Sequence, residues 1–191
     1  MQQQILQGAP ADLFFSAAED KFYELVEKGL IHRESGVNLV GNQLVLITPK
    51  VKSKEIKTFE DLNSQAETIS IGTPDSVPAG KYAKEMLIHL GIWDNLNQKV
   101  VFAKDVRQVL NYVETGNVDA GIVYKTDALA YYKIEIQATG MEGTHTPIIY
   151  PLGILKESNN QHEAQLFFEF MQSEKARSIL EKYGFLNLND Q

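Results

Sequence analysis

The sequence predicts an α/β fold made of two lobes, and three observations predict it. Strand-like and helix-like segments alternate along almost the whole chain, which is typical of folds with largely parallel strands. A lysine-rich run at residues 50–57 predicts a crossover between lobes. An apolar run at 148–155 has the length of a strand that returns to the first lobe. The predicted domains are a discontinuous lobe I, residues 1–48 and 147–191, and an inserted lobe II, residues 49–146.

Each element of the predicted lobe I carries a local signal. Apolar residues recur at helical spacing in its helices, and glycines follow three of the four helices in the position of a helix stop. Its strands are short apolar runs. In chain order, lobe I comprises the end of a helix up to Gly8, a strand at 11–16, a helix at 19–28 before Gly29, a strand at 42–48 that ends at Pro49, a strand at 148–155, and helices at 161–171 and 173–183 with Ser173 as N-cap and Gly184 as stop.

The elements of the predicted lobe II alternate between helix and strand. Pro78 suits the first position of a helix, because its missing N–H would have no partner there. Asp105 suits the N-cap of a second helix, because its carboxylate can accept from a first-turn N–H. In chain order, lobe II comprises a short helix capped by Thr58, a strand at 68–72, the helix from Pro78 to Gly91, a strand at 99–102, the helix from Asp105 to Gly116, a strand at 119–124, a short helix from Asp127, and an apolar run at 134–137.

Composition and missing motifs exclude several function classes. A net charge of -7 argues against a nucleic-acid partner, which usually meets a basic face. The absence of cysteine excludes disulfides and thiolate metal sites, and the histidines show no metal-ligand spacing. No catalytic pair or triad can be argued, so we expect neither an enzyme nor a cofactor or resident metal. No apolar run approaches the ~20 residues of a membrane span, and the start of the chain lacks the pattern of a signal peptide.

Two helix starts and one tyrosine form the candidate site. A helix start carries partial positive charge and N–H groups without intrahelical partners, so it binds anions without a side-chain cation. The first start, VPAG at 77–80, presents the N–H groups of Ala79 and Gly80, which no large side chain obstructs. The second start presents the N–H of Val106, and Tyr124 ends the strand that follows. Each feature alone is more often structural, but together they favour a receptor for a small anion.

Six blocks of the sequence resemble the molybdate-binding proteins of bacterial ABC transporters. The blocks are QQQILQGAPADLFFSA at 2–17, TPDSVPAGKYAKEML at 73–87, GIWD at 91–94, DVRQVL at 105–110, GIVYKTDA at 121–128 and KYGF at 182–185. The family has the type II periplasmic-binding-protein fold, with two α/β lobes, a hinge and a central cleft that buries a tetrahedral oxyanion. The resemblance implies molybdate or tungstate as the ligand, held by uncharged donors at the positions of Ala79, Val106 and Tyr124.

The resemblance also implies partners and a location, and the sequence differs from the family pattern at its N-terminus. The closed protein would deliver its anion to the membrane permease of an ABC importer, in the periplasm or at the outer face of the cell membrane. The family pattern begins with a strand, a helix, a further strand and two ligand serines that have no counterpart before Gln2. We therefore expect lobe I to be incomplete at its N-terminus, and molybdate binding by this chain alone to be weak or absent. The complete protein is expected to be a monomer, whereas exposed sheet edges favour association of a shortened form.

Two other hypotheses stay open. The first is a receptor for another tetrahedral oxyanion, since sulfate shares the charge and shape of molybdate and differs mainly in size. Phosphate needs an acceptor for its proton, and the sequence offers only Asp105 nearby, which N-capping occupies. Arg107 could add positive charge there, but an arginine in a first helical turn points more often to solvent. The second hypothesis is the ligand-sensing domain of a transcription regulator, which would need a basic helix-turn-helix that this sequence lacks.

Overall fold

The computed structural model describes residues 1–51 and 54–188, which fall into two compact units. Unit 1 combines Met1–Asn42 with Ile148–Gln191, and unit 2 is Gln43–Pro147. The chain therefore leaves its first unit once and returns to it once.

The boundary between the units differs from the predicted one. The sequence placed residues 43–48 in lobe I, but Leu44–Pro49 is a strand that pairs within the sheet of unit 2. The chain passes into unit 2 at Gln43, ahead of the lysine-rich run that we predicted to be the crossover. Lys52 and Ser53 of that run lie outside the described residues.

The secondary structure follows the predicted elements closely, with one added strand at Val37–Asn42 and one added short helix at Trp93–Leu96. The helices are α1 (Gln2–Leu6), α2 (Glu19–Glu27), α3 (Asp61–Gln65), α4 (Pro78–His89), α5 (Trp93–Leu96), α6 (Val106–Glu114), α7 (Lys125–Ala128), α8 (Gln161–Met171) and α9 (Glu174–Lys182). The strands are β1 (Leu13–Phe15), β2 (Val37–Asn42), β3 (Leu44–Pro49), β4 (Ile69–Gly72), β5 (Val100–Ala103), β6 (Ala120–Tyr124), β7 (Ile134–Thr139) and β8 (Ile148–Ile154).

Unit 1 is built around the returning strand. Its sheet has the order β1-β8-β2, and β8 pairs antiparallel with both neighbours. Apolar side chains of α1, α2 and the adjoining strand and loops pack into one cluster. Its buried members are Ile5, Phe14, Phe22, Leu25, Ile31 and Leu155. The central strand of this sheet, β8, thus comes from the last third of the sequence.

Unit 2 contains a mixed sheet of order β5-β4-β6-β3-β7. Strand β4 pairs parallel with β5 and β6, whereas β3 pairs antiparallel with β6 and β7. The prediction of largely parallel strands is therefore wrong for both units. Parallel pairing is confined to β5, β4 and β6, where α4 and α6 provide the long crossovers that parallel neighbours need.

The two long helices of unit 2 have the ends that the sequence predicted. Helix α4 begins with Pro78 at its first position, and Gly91 follows its last turn with φ +69°. Helix α6 begins after Asp105 as N-cap, and Gly116 follows it with φ +70°. Both glycines adopt the left-handed conformation that side chains disfavour, so each ends its helix at a fixed residue.

Asp119 fastens the amino ends of two central strands. Its Oδ2 accepts hydrogen bonds from the backbone N–H groups of Glu67 (2.8 Å) and Thr68 (3.0 Å) and from Lys54 Nζ (3.0 Å). Burial raises the pKa of this carboxyl, but the bonds from Thr68, Lys54 and Glu67 outweigh burial and hold the pKa below its usual range. The ionised carboxylate thus ties the segment before β4 to the start of β6.

Candidate functional site

The sheet of unit 2 brings the three predicted site elements to one edge. Strands β5, β4 and β6 are neighbours and run parallel, so their carboxyl ends meet at the same edge. Helix α4 begins after β4, helix α6 begins after β5, and Tyr124 is the last residue of β6. Ligands of α/β proteins commonly bind outside the carboxyl ends of parallel strands. Ala79, Val106 and Tyr124 therefore lie on adjacent elements at an edge suited to a ligand.

The first helix start offers one backbone donor rather than two. Val77 is the extended N-cap of α4, and Pro78 has no N–H. We predicted an outward-pointing N–H at Gly80, but this group donates to the Val77 carbonyl oxygen at 2.9 Å. Ala79 is the second helical residue and is buried with 1% exposure. The Ala79 N–H is thus the donor that this start presents, and the outward role predicted for Gly80 is wrong.

The glycine at position 80 serves instead to seat the helix on the strand. A Cβ at Gly80 would lie 1.9 Å from the Gly72 carbonyl oxygen, which is far inside any real contact. A Cβ at Gly72 would lie 2.4 Å from Val77 Cγ1. Only glycine at both positions lets the start of α4 close on the end of β4. We predicted that Gly80 lets an anion approach the backbone, whereas in the structure it lets the helix pack on the strand.

The second helix start has the predicted cap. Asp105 Oδ1 accepts from the Gln108 N–H at 2.8 Å, and Gln108 Oε1 accepts in return from the Lys104 N–H at 2.8 Å. This exchange fixes the chain where β5 turns into α6. Val106 occupies the first helical position, where an N–H has no partner inside the helix. Its N–H is therefore a first-turn donor held in place by the cap beside it.

Tyr124 joins the end of β6 to the next helix. It is buried with 8% exposure, pairs with Leu44 in the antiparallel ladder, and is the N-cap of α7. The N–H of Lys125, the next residue, donates to the Gln43 carbonyl oxygen at 2.9 Å. Helix α7 begins at Lys125 rather than at the predicted Asp127. The backbone that carries the tyrosine is therefore fixed on both of its sides.

A carboxyl that the sequence analysis missed lies at the same edge. Asp127 stands in α7 three residues after Tyr124, and burial raises the pKa of its carboxyl. The guanidinium of the exposed Arg107, in the first turn of α6, lowers this pKa and offsets part of the effect. We predicted Asp105 as the only acid near the site. This prediction is wrong, because Asp127 is a second one. The spacing from Tyr124 was visible in the sequence, but the burial was not.

The described residues include neither a metal-binding cluster nor a helix that could span a membrane. They contain no group of three or more His, Asp or Glu side chains that could hold a metal ion. A surface groove of about 730 Å³ in unit 1, lined by Tyr23, His32 and Lys156 among others, includes none of the predicted site residues. Within residues 1–51 and 54–188, no helix is long and apolar enough to cross a bilayer.

One family model matches nearly all of the described chain. The model of the family "Bacterial extracellular solute-binding protein" matches residues 1–186. The Bacillus subtilis protein YvgL, assigned as an ABC transporter substrate-binding lipoprotein, is 54% identical over 185 residues, which cover 97% of this chain and 71% of YvgL. The molybdate-binding protein ModA of Haemophilus influenzae is 38% identical over 187 residues, covering 96% of this chain and 73% of ModA.

Solved structures give the same result for the fold. The substrate-binding domain of a molybdenum ABC transporter assigned in Clostridium difficile superimposes with a TM-score of 0.89 at 42% identity, covering 98% of this chain and 81% of that one. The α/β fold class predicted from the sequence is confirmed, and so is the resemblance to molybdate-binding proteins.

Proposed function

The chain belongs to the bacterial extracellular solute-binding protein family, and we propose that it is the substrate-binding component of an ABC importer for molybdate or tungstate. The anion accepts hydrogen bonds from the backbone N–H groups of Ala79 and Val106 and from the Tyr124 hydroxyl. All three donors are uncharged. Neutral donors can hold a dianion, because several oriented hydrogen bonds replace the hydration that the buried charge loses.

One observation carries this proposal. The parallel order β5-β4-β6 puts two helix starts and a strand-terminal tyrosine at one edge of one sheet. Each helix start adds the partial positive charge of its first turn, and the two helices follow the neighbouring strands β4 and β5. This potential is local, so it coexists with a net charge of -7 for the whole chain.

The relatives support the identity of the ligand. ModA of Haemophilus influenzae is named for molybdate, and the Clostridium difficile domain belongs to an assigned molybdenum transporter. Molybdate and tungstate are tetrahedral dianions that bring only acceptor oxygens near neutral pH, which suits a site made of donors. Sulfate has the same charge and shape in a smaller size, so it is the principal competitor.

The family also supports the wider role that we propose. Its members are solute-binding proteins of transport systems, and we propose that this chain catalyses no reaction and holds no cofactor. It would hand its anion to a membrane permease on the outer side of the cell membrane, and the complete protein would be a monomer.

Isothermal titration calorimetry with four anions tests the proposal. Molybdate, tungstate, sulfate and inorganic phosphate are titrated up to millimolar concentration, with phosphate included because Asp127 places a carboxyl at the same edge. We expect weak binding of molybdate and tungstate by this chain alone, and still weaker binding of the other two anions. Thermal melting gives a second readout, since a ligand that binds only the folded protein raises its stability. Tighter binding of sulfate overturns the molybdate assignment, and absence of binding by all four anions overturns anion binding by this chain alone.

A further inference from the structure

One threonine connects the two helix starts of the proposed site. The backbone N–H of Thr73 donates to the Ala103 carbonyl oxygen at 2.8 Å, and the Thr73 Oγ1 hydroxyl donates to the same oxygen at 3.1 Å. Ala103 is the last residue of β5 and lies two residues before Asp105, the N-cap of α6. Thr73 itself follows directly after β4.

The carbonyl of the same residue shapes the start of the other helix. Thr73 O accepts hydrogen bonds from the Ser76 N–H at 3.1 Å and from the Val77 N–H at 2.8 Å. Val77 is the N-cap of α4, two residues before Ala79. Thr73 thus bonds through its amide and hydroxyl toward one helix start and through its carbonyl toward the other.

We propose that Thr73 is a positioning residue that sets the spacing between the Ala79 and Val106 donors, and through it the size of anion that the site accepts. The inference rests on the proposed function for its ligand and deepens it. Thr73 does not contact the anion itself. It acts through the two loops that it joins, and its hydroxyl is the part of the connection that a substitution can remove.

Spacing matters here because the competing anions differ in little else. Molybdate and sulfate carry the same charge and the same tetrahedral array of oxygens, so charge cannot separate them. Discrimination by size needs donors that do not close in on the smaller ion. The Gly72 contact fixes α4 on β4, and the Asp105 cap fixes the turn into α6. Thr73 joins these two fixed parts, so it controls whether the donors keep their distance.

The same pair of strands offers a matched control. Ser70 lies on β4 and is fully buried, and its hydroxyl donates to the Val101 carbonyl oxygen on β5 at 2.9 Å. This bond has the same chemistry as the Thr73 hydroxyl bond but lies three residues farther from the edge. S70A therefore removes a comparable hydrogen bond between the same strands without touching either helix start.

The experiment compares T73V, T73S and S70A with the wild-type chain. Calorimetry gives the affinities for molybdate and sulfate, and amide hydrogen exchange of the unliganded protein follows residues 104–107. In T73V we expect molybdate affinity to fall about 5-fold, as for one lost hydrogen bond. Sulfate affinity should fall less, so the ratio of the two affinities drops, and the amides of 104–107 should exchange faster. T73S keeps the hydroxyl and should restore both the ratio and the exchange, while S70A should lower the melting temperature and leave the ratio unchanged.

The outcomes separate this inference from the proposed function. Equal losses of molybdate and sulfate affinity in T73V, or the same change of ratio in S70A, overturn the role in size selection. Unchanged exchange at residues 104–107 in T73V overturns the connection between the helix starts. If the wild-type chain binds neither anion, the proposed function fails, and the exchange data alone then decide whether Thr73 holds the start of α6.

Discussion

Replacement of Gly80 by alanine forces the start of α4 away from the strand beneath it. The added Cβ would lie 1.9 Å from the Gly72 carbonyl oxygen and 2.4 Å from the carbonyl carbon of the same residue. Real Cβ atoms keep at least 3.0 Å from such neighbours, so the gap must open by about 1 Å. The neighbour is backbone at the end of a central strand and cannot rotate aside. The helix start must therefore move, and the Ala79 N–H moves with it.

The size of the effect follows from this geometry. Forced overpacking typically costs 1–3 kcal/mol, so we expect G80A to lose about 2 kcal/mol of unfolding free energy. For a chain of this length that loss lowers the melting temperature by about 4–8 °C. Displacement of the Ala79 donor removes a hydrogen bond to a charged ligand, worth about 1.5–3 kcal/mol. Molybdate binding should therefore weaken about 10-fold to 100-fold.

G91A supplies the control at the other end of the same helix. Gly91 has φ +69° and no atom within 4 Å of an added Cβ, so alanine there strains the backbone by about 1 kcal/mol without displacing a neighbour. We expect G91A to melt at a lower temperature and to bind molybdate with wild-type affinity in calorimetry. Wild-type affinity in G80A would show that the start of α4 holds no anion, and an equal affinity loss in G91A would show that general destabilisation is the cause.

Three further substitutions test the site and its surroundings. Y124F removes one buried donor and should weaken molybdate binding by about 1–3 kcal/mol, while unchanged affinity removes Tyr124 from the site. D119N should cost about 2 kcal/mol of unfolding free energy near neutral pH. Because folding lowers the pKa of Asp119, the wild-type chain loses this advantage as the pH falls from about 3.9 through the folded pKa. The difference between the melting temperatures of D119N and wild type should therefore shrink in acid. D127N should melt at a higher temperature than wild type near neutral pH. Because burial raises the pKa of Asp127, the contribution of its protonated carboxyl to stability is present below about pH 3.9 and is lost as the pH rises through the folded pKa. Equal melting temperatures of D127N and wild type at every pH would contradict a burial penalty on this carboxyl.

The helices at the proposed site could be predicted because a few local residues determine their ends. Pro78 and Asp105 mark the starts of α4 and α6, and glycines mark the stops, so few residues decide each boundary. Tyr124 was predictable as a strand end for the same reason, since the apolar run of β6 stops there. That these three elements reach one edge needs the strand order, which the alternating pattern suggested but did not determine.

The sheet pairing could not be predicted from local signals. Strand β2 has only Gln43 between it and β3, and the sequence predicted a single strand at 42–48, yet the two strands belong to the sheets of different units. Strand β8 pairs antiparallel with β1 and β2, which are more than one hundred residues away along the chain. Such long-range pairing depends on side-chain packing across the sheet, and a pattern of period two is the same for parallel and antiparallel neighbours.

The roles of Gly80 and Asp127 show why a site is harder to predict than a fold. Both residues stand in blocks that the sequence singled out, but their roles depend on the close approach of another element or on the burial that tertiary packing creates. Gly80 is constrained by the Gly72 carbonyl at the end of β4, and Asp127 by its burial in the folded protein, which raises the pKa of its carboxyl. Sequence spacing can select such residues, whereas their function follows only from the contacts.

In the proposed site two of the three donors are backbone N–H groups, which puts much of the selectivity into the framework rather than into side chains. In an acidic chain, an inward-pointing arginine or lysine would attract every small anion alike, whereas fixed N–H groups reward only an ion whose oxygens meet them. Backbone donors cannot change rotamer, so their positions are set by what holds the helix starts. Here that is the Gly72–Gly80 contact, the Asp105 cap and the bonds of Thr73 to Ala103. Substitutions in this framework should therefore alter which anion binds, and substitutions of nearby surface charges should alter mainly how fast it arrives.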